Sequence, residues 1–124
     1  MDKNFCVVGG GYWGKNHIKT FYELGALGAI VEENKDLLDS FSKYNNVLLY
    51  NNLDDAILNN QLTGFTVATP AETHYKIAKK IILSGKNVLI EKPFALNIKD
   101  AEDLVFLSKS NKVTLMVGHL MLFH

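Results

Sequence analysis

A glycine-rich segment near the start of the sequence has the spacing needed to hold an anionic group. Gly9, Gly11 and Gly14 form G-x-G-x-x-G directly after an apolar run at residues 4–8 and before a run with helical periodicity. The first glycine permits a tight turn, the second lets a phosphate approach the backbone, and the third allows the helix to pack closely on the strand. The helix start also offers N–H groups without backbone acceptors. The pattern predicts a pyrophosphate site.

An acidic side chain follows the second predicted strand. Glu32 lies 18 residues after Gly14, where a carboxylate would meet the hydroxyls of an adenosine ribose. It would repel a 2′-phosphate, and the chain has no arginine to bind one, because all 13 basic residues are lysines. Lys35 is close enough to serve instead, but the spacing favours NAD over NADP. Glu33 is interpreted as a solvated loop charge.

Two further turns carry residues that could do chemistry. Thr69 and Pro70 follow the fourth predicted strand, with His74 shortly after, and a Glu-Lys-Pro turn at 91–93 follows the fifth. Because ligands of open α/β sheets bind at the carboxyl ends of the strands, both turns should lie beside the glycine loop. Hydride removal from a carbinol carbon needs a group that takes the O–H proton or stabilises the alkoxide. Lys92, beside a carboxylate, could do this.

The elements that position these residues alternate along the chain. Apolar runs predict strands at 4–8, 27–31, 47–50, 64–68, 87–90 and 113–117. Helical periodicity predicts helices at 13–24, 35–43, 53–59, 73–83 and, behind the cap Asn97, 98–109. Fully apolar strands joined by helices indicate a parallel sheet covered on both faces. With right-handed crossovers this is a doubly wound, six-stranded α/β fold of the Rossmann type.

Composition restricts the class of protein. With 124 residues, 48% of them hydrophobic, and a formal net charge of zero, the chain fits one domain with no attraction to nucleic acid or anionic membranes. No leader or membrane span is predicted, so we expect a cytoplasmic protein. Cys6 is interpreted as a buried apolar residue, and His17, His119 and His124 as structural or incidental. No metal site is predicted.

Several segments together resemble a known family. The string VATPAETHYKIAKKIILSGKNVLIEKPFALN, preceded by GGGYWG and followed by VGHLMLFH, resembles the N-terminal domain of the Gfo/Idh/MocA oxidoreductases over essentially all 124 residues. The tail is most similar to the nucleotide-sugar branch, whose members oxidise the 3-hydroxyl of UDP-N-acetylglucosamine derivatives. The resemblance implies NAD-dependent oxidation of a hydroxyl of a sugar or nucleotide sugar by hydride transfer.

The resemblance also implies roles for matching positions. Tyr12 and Trp13 would flank the pyrophosphate. Thr69, Pro70 and His74 would line the nicotinamide side of the cleft.

The Glu-Lys-Pro turn would complete the site. Glu91 and Lys92 would reach the nicotinamide ribose and the reacting hydroxyl, with Lys92 as the catalytic residue. The family often has a cis peptide before this proline, and only X–Pro bonds adopt cis at modest cost. We therefore predict a cis Lys92–Pro93 bond.

The expected domain organisation follows from the same resemblance. Residues 1–118 would be the NAD(P)-binding domain, and 119–124 the start of a crossover to a C-terminal α/β domain that binds the sugar and mediates oligomerisation. This chain alone would then be inactive. Two alternatives remain at this stage: a stand-alone NAD(H)-binding module or sensor, which would not need Lys92, and a methyltransferase, against which the Glu-Lys-Pro turn counts.

Overall fold

The computed structural model describes residues 2–118 and, for the last strand, the backbone of residues 120–123. Its strands form one sheet: β1 (Phe5–Val8), β2 (Leu27–Val31), β3 (Leu48–Tyr50), β4 (Gly64–Val67), β5 (Asn87–Ile90), β6 (Leu115–Val117) and β7 (Leu120–Phe123). The order is β3-β2-β1-β4-β5-β6-β7, and the first six strands run parallel. The predicted doubly wound six-stranded sheet is confirmed, and its strand order reverses between β1 and β4.

Five helices connect the parallel strands: α1 (Tyr12–Glu23), α2 (Lys35–Asp39), α3 (Leu53–Ile57), α4 (His74–Leu83) and α5 (Ile98–Ser110). Asn34, Asn52 and Asn97 cap α2, α3 and α5, since each side-chain oxygen accepts from a backbone N–H in the first turn. The helix predicted at 35–43 is shorter than expected, because Ser40–Lys43 tightens into a 3₁₀ turn. A second 3₁₀ turn, Ala71–Thr73, precedes α4.

The core lies on both faces of the sheet, as apolar parallel strands require. On one face, Ile18 of α1 and Leu38 of α2 pack with Val7 and Ile30. On the other, α3, α4 and α5 bury a larger cluster that includes Ala56, Ala78, Ile81, Ile82 and Leu104. Both layers hold the carboxyl ends of β1 and β4 in place, where the site lies.

The chain reverses after β6. Gly118 has φ 55°, which favours glycine, and β7 pairs antiparallel with β6. The sequence predicted no element here, and the crossover expected at 119–124 stays a prediction. His119 and His124 lie outside the described residues.

None of the described helices has the length and apolar character that crossing a bilayer requires.

Candidate functional site

The three glycines of the loop between β1 and α1 are required for different reasons. Gly9 has φ 100°, and a Cβ there would lie 2.9 Å from the Ala68 carbonyl oxygen at the end of β4. A Cβ on Gly14 would lie 1.8 Å from the Gly9 carbonyl oxygen, so α1 can approach the loop only without a side chain. A Cβ on Gly11 would meet no protein atom within 4 Å. Gly11 therefore faces open space, as a position reserved for a ligand would.

The start of α1 is open to an anion. Gly11 is its N-cap and supplies no side-chain acceptor, and no acidic residue lies in the first turn. The first N–H groups of a 12-residue helix are thus directed at the loop without a side-chain partner. They carry the positive end of the helix dipole. This geometry suits a phosphate.

Glu32 is anchored beside the loop. Its Oε1 accepts from the Gly10 N–H at 2.7 Å, and its Oε2 accepts from the Asn34 N–H at 2.9 Å. These two bonds fix the carboxylate plane at the end of β2. A side chain on Gly10 would collide with the ring of Phe41, 2.6 Å from the Cβ position. The middle glycine of the GGG run therefore keeps the loop close to Glu32.

The loop, Glu32 and the end of β4 enclose one cleft of about 890 Å³, near the upper end of the usual range for ligand sites. Tyr12 and Trp13 stand at its edge, 75% and 58% exposed, with their rings in an edge-to-face contact. Two adjacent exposed aromatic rings form an apolar patch, and such patches often border ligand-binding grooves. Of the predicted site residues, those that line this cleft are Gly9, Gly11, Tyr12, Trp13, Glu32, Thr69 and Pro70.

The Thr-Pro turn after β4 forms the far wall of the cleft. Thr73 Oγ1 lies 2.6 Å from both the Pro70 carbonyl oxygen and Thr69 Oγ1. His74, in contrast, is 1% exposed and lies behind the turn, with Nε2 2.7 Å from the Thr69 carbonyl oxygen. Its predicted contact with a cofactor stays a prediction; its partners within the chain are backbone carbonyls.

The Glu-Lys-Pro turn lies one strand further, at the end of β5, and does not line the cleft. The Lys92–Pro93 peptide is cis, as predicted. Lys92 is exposed, and its Cε lies 3.5 Å from where a Cβ of Gly118 would be. The Lys92 stem therefore lies over the end of β6, on the same sheet edge as the loop.

His17, interpreted from the sequence as structural or incidental, has a partner that the sequence did not predict. Its Nε2 contacts Glu91 Oε1, with the two side chains 22% and 20% exposed. This contact agrees with a structural role for His17, because it ties α1 to the Glu-Lys-Pro turn after β5. The sequence places His17 on α1 but does not indicate its partner. Glu91 lies 74 residues away along the chain, and the two side chains meet only in the folded structure.

Other polar groups belong to the scaffold. Burial raises the pKa of the Cys6 thiol well above its usual value, so it stays protonated. Desolvation lowers the pKa of Lys86, whose Nζ donates to the Asn59 and Leu62 carbonyls. Among the described residues, no cluster of side chains could hold a metal ion.

A parallel sheet with this strand order, a glycine loop at its switch point and an acid ending β2 defines a Rossmann-type dinucleotide-binding domain. The model of the oxidoreductase family with an NAD-binding Rossmann fold, Gfo/Idh/MocA, matches residues 3–119. The chain belongs to this family. It is an NAD-binding oxidoreductase domain, and the predicted family and cofactor are confirmed.

Similar proteins include sugar-processing enzymes. The UDP-N-acetylglucosamine 3-dehydrogenase of Acidithiobacillus ferrooxidans is 24% identical over 118 residues, covering 95% of this chain and 37% of that protein. The structure of GenD2 from gentamicin A biosynthesis in complex with NAD is 30% identical, with TM-score 0.85 over 92% of this chain and 33% of that one. The WlbA dehydrogenase from Bordetella pertussis in complex with NADH and UDP-GlcNAcA is 26% identical, with TM-score 0.87 over 95% and 37%. The chain spans about a third of the length of the curated relatives it matches.

Proposed function

We propose that this chain is the cofactor-binding half of an NAD-dependent oxidoreductase that oxidises a hydroxyl of a nucleotide sugar. The observation that carries the proposal is the placement of an exposed lysine, Lys92, on the same sheet edge as the dinucleotide cleft. A module that only stored or sensed NAD(H) would need the cleft but not the lysine.

The pyrophosphate end of NAD would lie at the start of α1. Gly9 and Gly14 give the loop its shape, Gly11 leaves room for the phosphates, and the free N–H groups of the first turn donate to them. Tyr12 and Trp13 flank the phosphates from the cleft edge. Tyr12 lies at the helix start, so its backbone N–H would be among the donors.

Glu32 would bind the hydroxyls of the adenosine ribose. Its carboxylate already accepts two backbone N–H bonds, and each oxygen has a further lone pair for a hydroxyl. A 2′-phosphate would bring negative charge against this fixed carboxylate, so NAD is favoured over NADP.

The nicotinamide end would extend past the Thr-Pro turn toward Lys92. Thr69 and Pro70 form the wall there, and His74 supports that wall from behind. When bound, NAD accepts the hydride. Glu91, held by His17, lies one residue before Lys92 and would reach the nicotinamide ribose. Lys92 would place its ammonium group at the reacting hydroxyl, stabilising the alkoxide or relaying its proton.

The substrate class rests on the similar proteins. WlbA is described with NADH and UDP-GlcNAcA, and the Acidithiobacillus relative is a UDP-N-acetylglucosamine 3-dehydrogenase. We extend this to a UDP-linked amino sugar oxidised at a secondary hydroxyl. The domain that binds it would follow residue 118, with 119–124 leading to it, and would also form the oligomer.

A chimera tests the proposal. Residues 3–119 replace the matching domain of the Bordetella pertussis WlbA dehydrogenase, and NADH formation from NAD and UDP-GlcNAcA is followed by absorbance. We expect turnover that Lys92→Ala lowers about a hundredfold or more in kcat. Lys99→Ala, which removes an exposed lysine of α5, is the matched control and should be neutral. Unchanged kcat in Lys92→Ala would refute the catalytic assignment, and NADH binding without turnover would contradict the proposal that this domain presents NAD to the hydroxyl of a nucleotide sugar.

A further inference from the structure

One enclosed side chain joins the two turns of the site. The imidazole of His74, the first residue of α4, is 1% exposed. Its Nε2 lies 2.7 Å from the carbonyl oxygen of Thr69, and its Nδ1 lies 2.7 Å from the carbonyl oxygen of Pro93. The ring therefore bridges the Thr-Pro turn after β4 and the Glu-Lys-Pro turn after β5.

Both partners of the ring are acceptors that cannot donate. A neutral imidazole has one N–H and one lone pair, so it satisfies one carbonyl and turns a lone pair toward the other. Only the imidazolium donates from both nitrogens. The two distances also lie at the short end of the range for N–H···O bonds, where charge-assisted bonds are found. We propose that His74 is a positioning residue that, as an imidazolium, ties the Thr-Pro turn to the Glu-Lys-Pro turn.

Two effects oppose a cation at His74, and two carbonyl contacts favour it. Burial penalises charge, and the start of a helix disfavours a positive group. Each ring nitrogen has a carbonyl oxygen at 2.7 Å that can accept its N–H, and these two bonds act against both effects. A neutral ring would leave a lone pair facing a carbonyl oxygen inside the core, and the 2.7 Å separation is too short for a water molecule to lie between them.

Charged groups on the neighbouring elements have other partners or face outward. Glu91 contacts His17, and Asp103 of α5 accepts from Tyr75 and pairs with Lys79. β4 and β5 carry no titratable side chain. The titratable groups of the elements packed on His74 are Glu72, Tyr75, Lys76, Lys79, Lys80, Glu91, Lys92, Lys99, Asp100, Glu102, Asp103 and Lys109.

The consequence for the site rests on the proposed function. Thr69 and Pro70 line the cleft, whereas Lys92 adjoins the second carbonyl partner. A ring that holds both carbonyls fixes the distance between the bound cofactor and the lysine. Loss of the ring would release one turn from the other.

The first experiment reads the ring directly and needs no cofactor. Two-bond ¹H–¹⁵N correlation spectra of the ¹⁵N-labelled chain are recorded at neutral pH, with His74→Gln identifying which signals belong to His74. We expect both ring nitrogens of His74 to have the shifts of protonated nitrogens. One protonated and one bare nitrogen would overturn the proposal, whether or not the chain binds NAD. Failure of the wild-type chain to bind NADH would instead count against the proposed function.

The second experiment measures the consequence by NADH titration. His74→Phe keeps a ring without donors and should weaken binding about tenfold, while His74→Gln, whose amide nitrogen has two N–H donors, should lose less. Ile81→Val is the control, since it shortens a fully buried α4 side chain away from both turns and should lower stability without changing affinity. A folded His74→Phe variant with wild-type affinity would overturn the positioning role.

Discussion

Replacing Gly11 by alanine separates the binding of the cofactor from the stability of the fold. Gly11 has φ −72° and ψ −159°, which any residue can adopt, and its added Cβ would meet no protein atom within 4 Å. Alanine restricts the unfolded chain, which stabilises by about 0.4–1 kcal/mol. Alanine is also a poorer N-cap than glycine. These effects oppose each other, so we expect the free energy of unfolding to change by less than about 1 kcal/mol.

The bound state is different, because the open space next to Gly11 is where the pyrophosphate would lie. A methyl group inserted into a filled contact costs about 1–3 kcal/mol. That corresponds to about a five- to 150-fold rise in the Kd for NADH. Calorimetric titration with NADH measures the Kd, and urea unfolding followed by circular dichroism measures stability.

Gly14→Ala is the matched control in the same loop. Its Cβ would lie 1.8 Å from the Gly9 carbonyl oxygen, so the backbone must move, and the variant should lose about 1–3 kcal/mol of stability or more. A Gly11→Ala variant that binds NADH as tightly as the wild type would refute the placement of the phosphates. So would equal losses of stability in the two variants.

Three further perturbations test separate parts of the account. Glu32→Gln should reduce the preference for NADH over NADPH about tenfold or more, because it removes the charge that repels a 2′-phosphate. The variant also loses one of the two hydrogen bonds from the Gly10 and Asn34 N–H groups. Competitive titration with NADH and NADPH measures this preference. Asn97→Ala should lower the free energy of unfolding by about 1 kcal/mol through loss of the α5 cap, with the Kd for NADH unchanged. Cys6 should react with a thiol reagent only upon unfolding, since it is fully buried and burial raises the pKa of its thiol.

Each of these three predictions would be contradicted by a specific result. An unaltered NADH to NADPH ratio would show that the carboxylate does not face the ribose. A weaker Kd in the Asn97 variant would mean that α5 contributes to the site. Labelling of Cys6 in the native protein at the rate of a free thiol would contradict the packing of β1.

The sheet could be predicted from the sequence because its strands are short apolar runs that end at glycine or a turn. β2 and β5 begin and end where the runs do, and the other four parallel strands differ by one or two residues at an end. β7 could not be predicted in this way. Its pairing depends on β6 being available at the edge of the sheet, and no local pattern marks that.

The cofactor loop and Glu32 were also predictable, since spacing along the chain carries that signal. The two histidine contacts were not. His17 meets Glu91 and His74 meets Pro93 across distances of 74 and 19 residues, and those meetings depend on how helices pack on the sheet. Burial of the His74 ring decides its role, and the sequence does not show burial of a polar residue at a helix start.

The most direct measurement is a crystal structure of the chain grown with saturating NAD. We expect phosphate oxygens within hydrogen-bonding distance of the backbone N–H groups at the start of α1, and ribose hydroxyls bound to the carboxylate of Glu32. A dinucleotide bound elsewhere, or a cleft that stays empty at saturation, would contradict it.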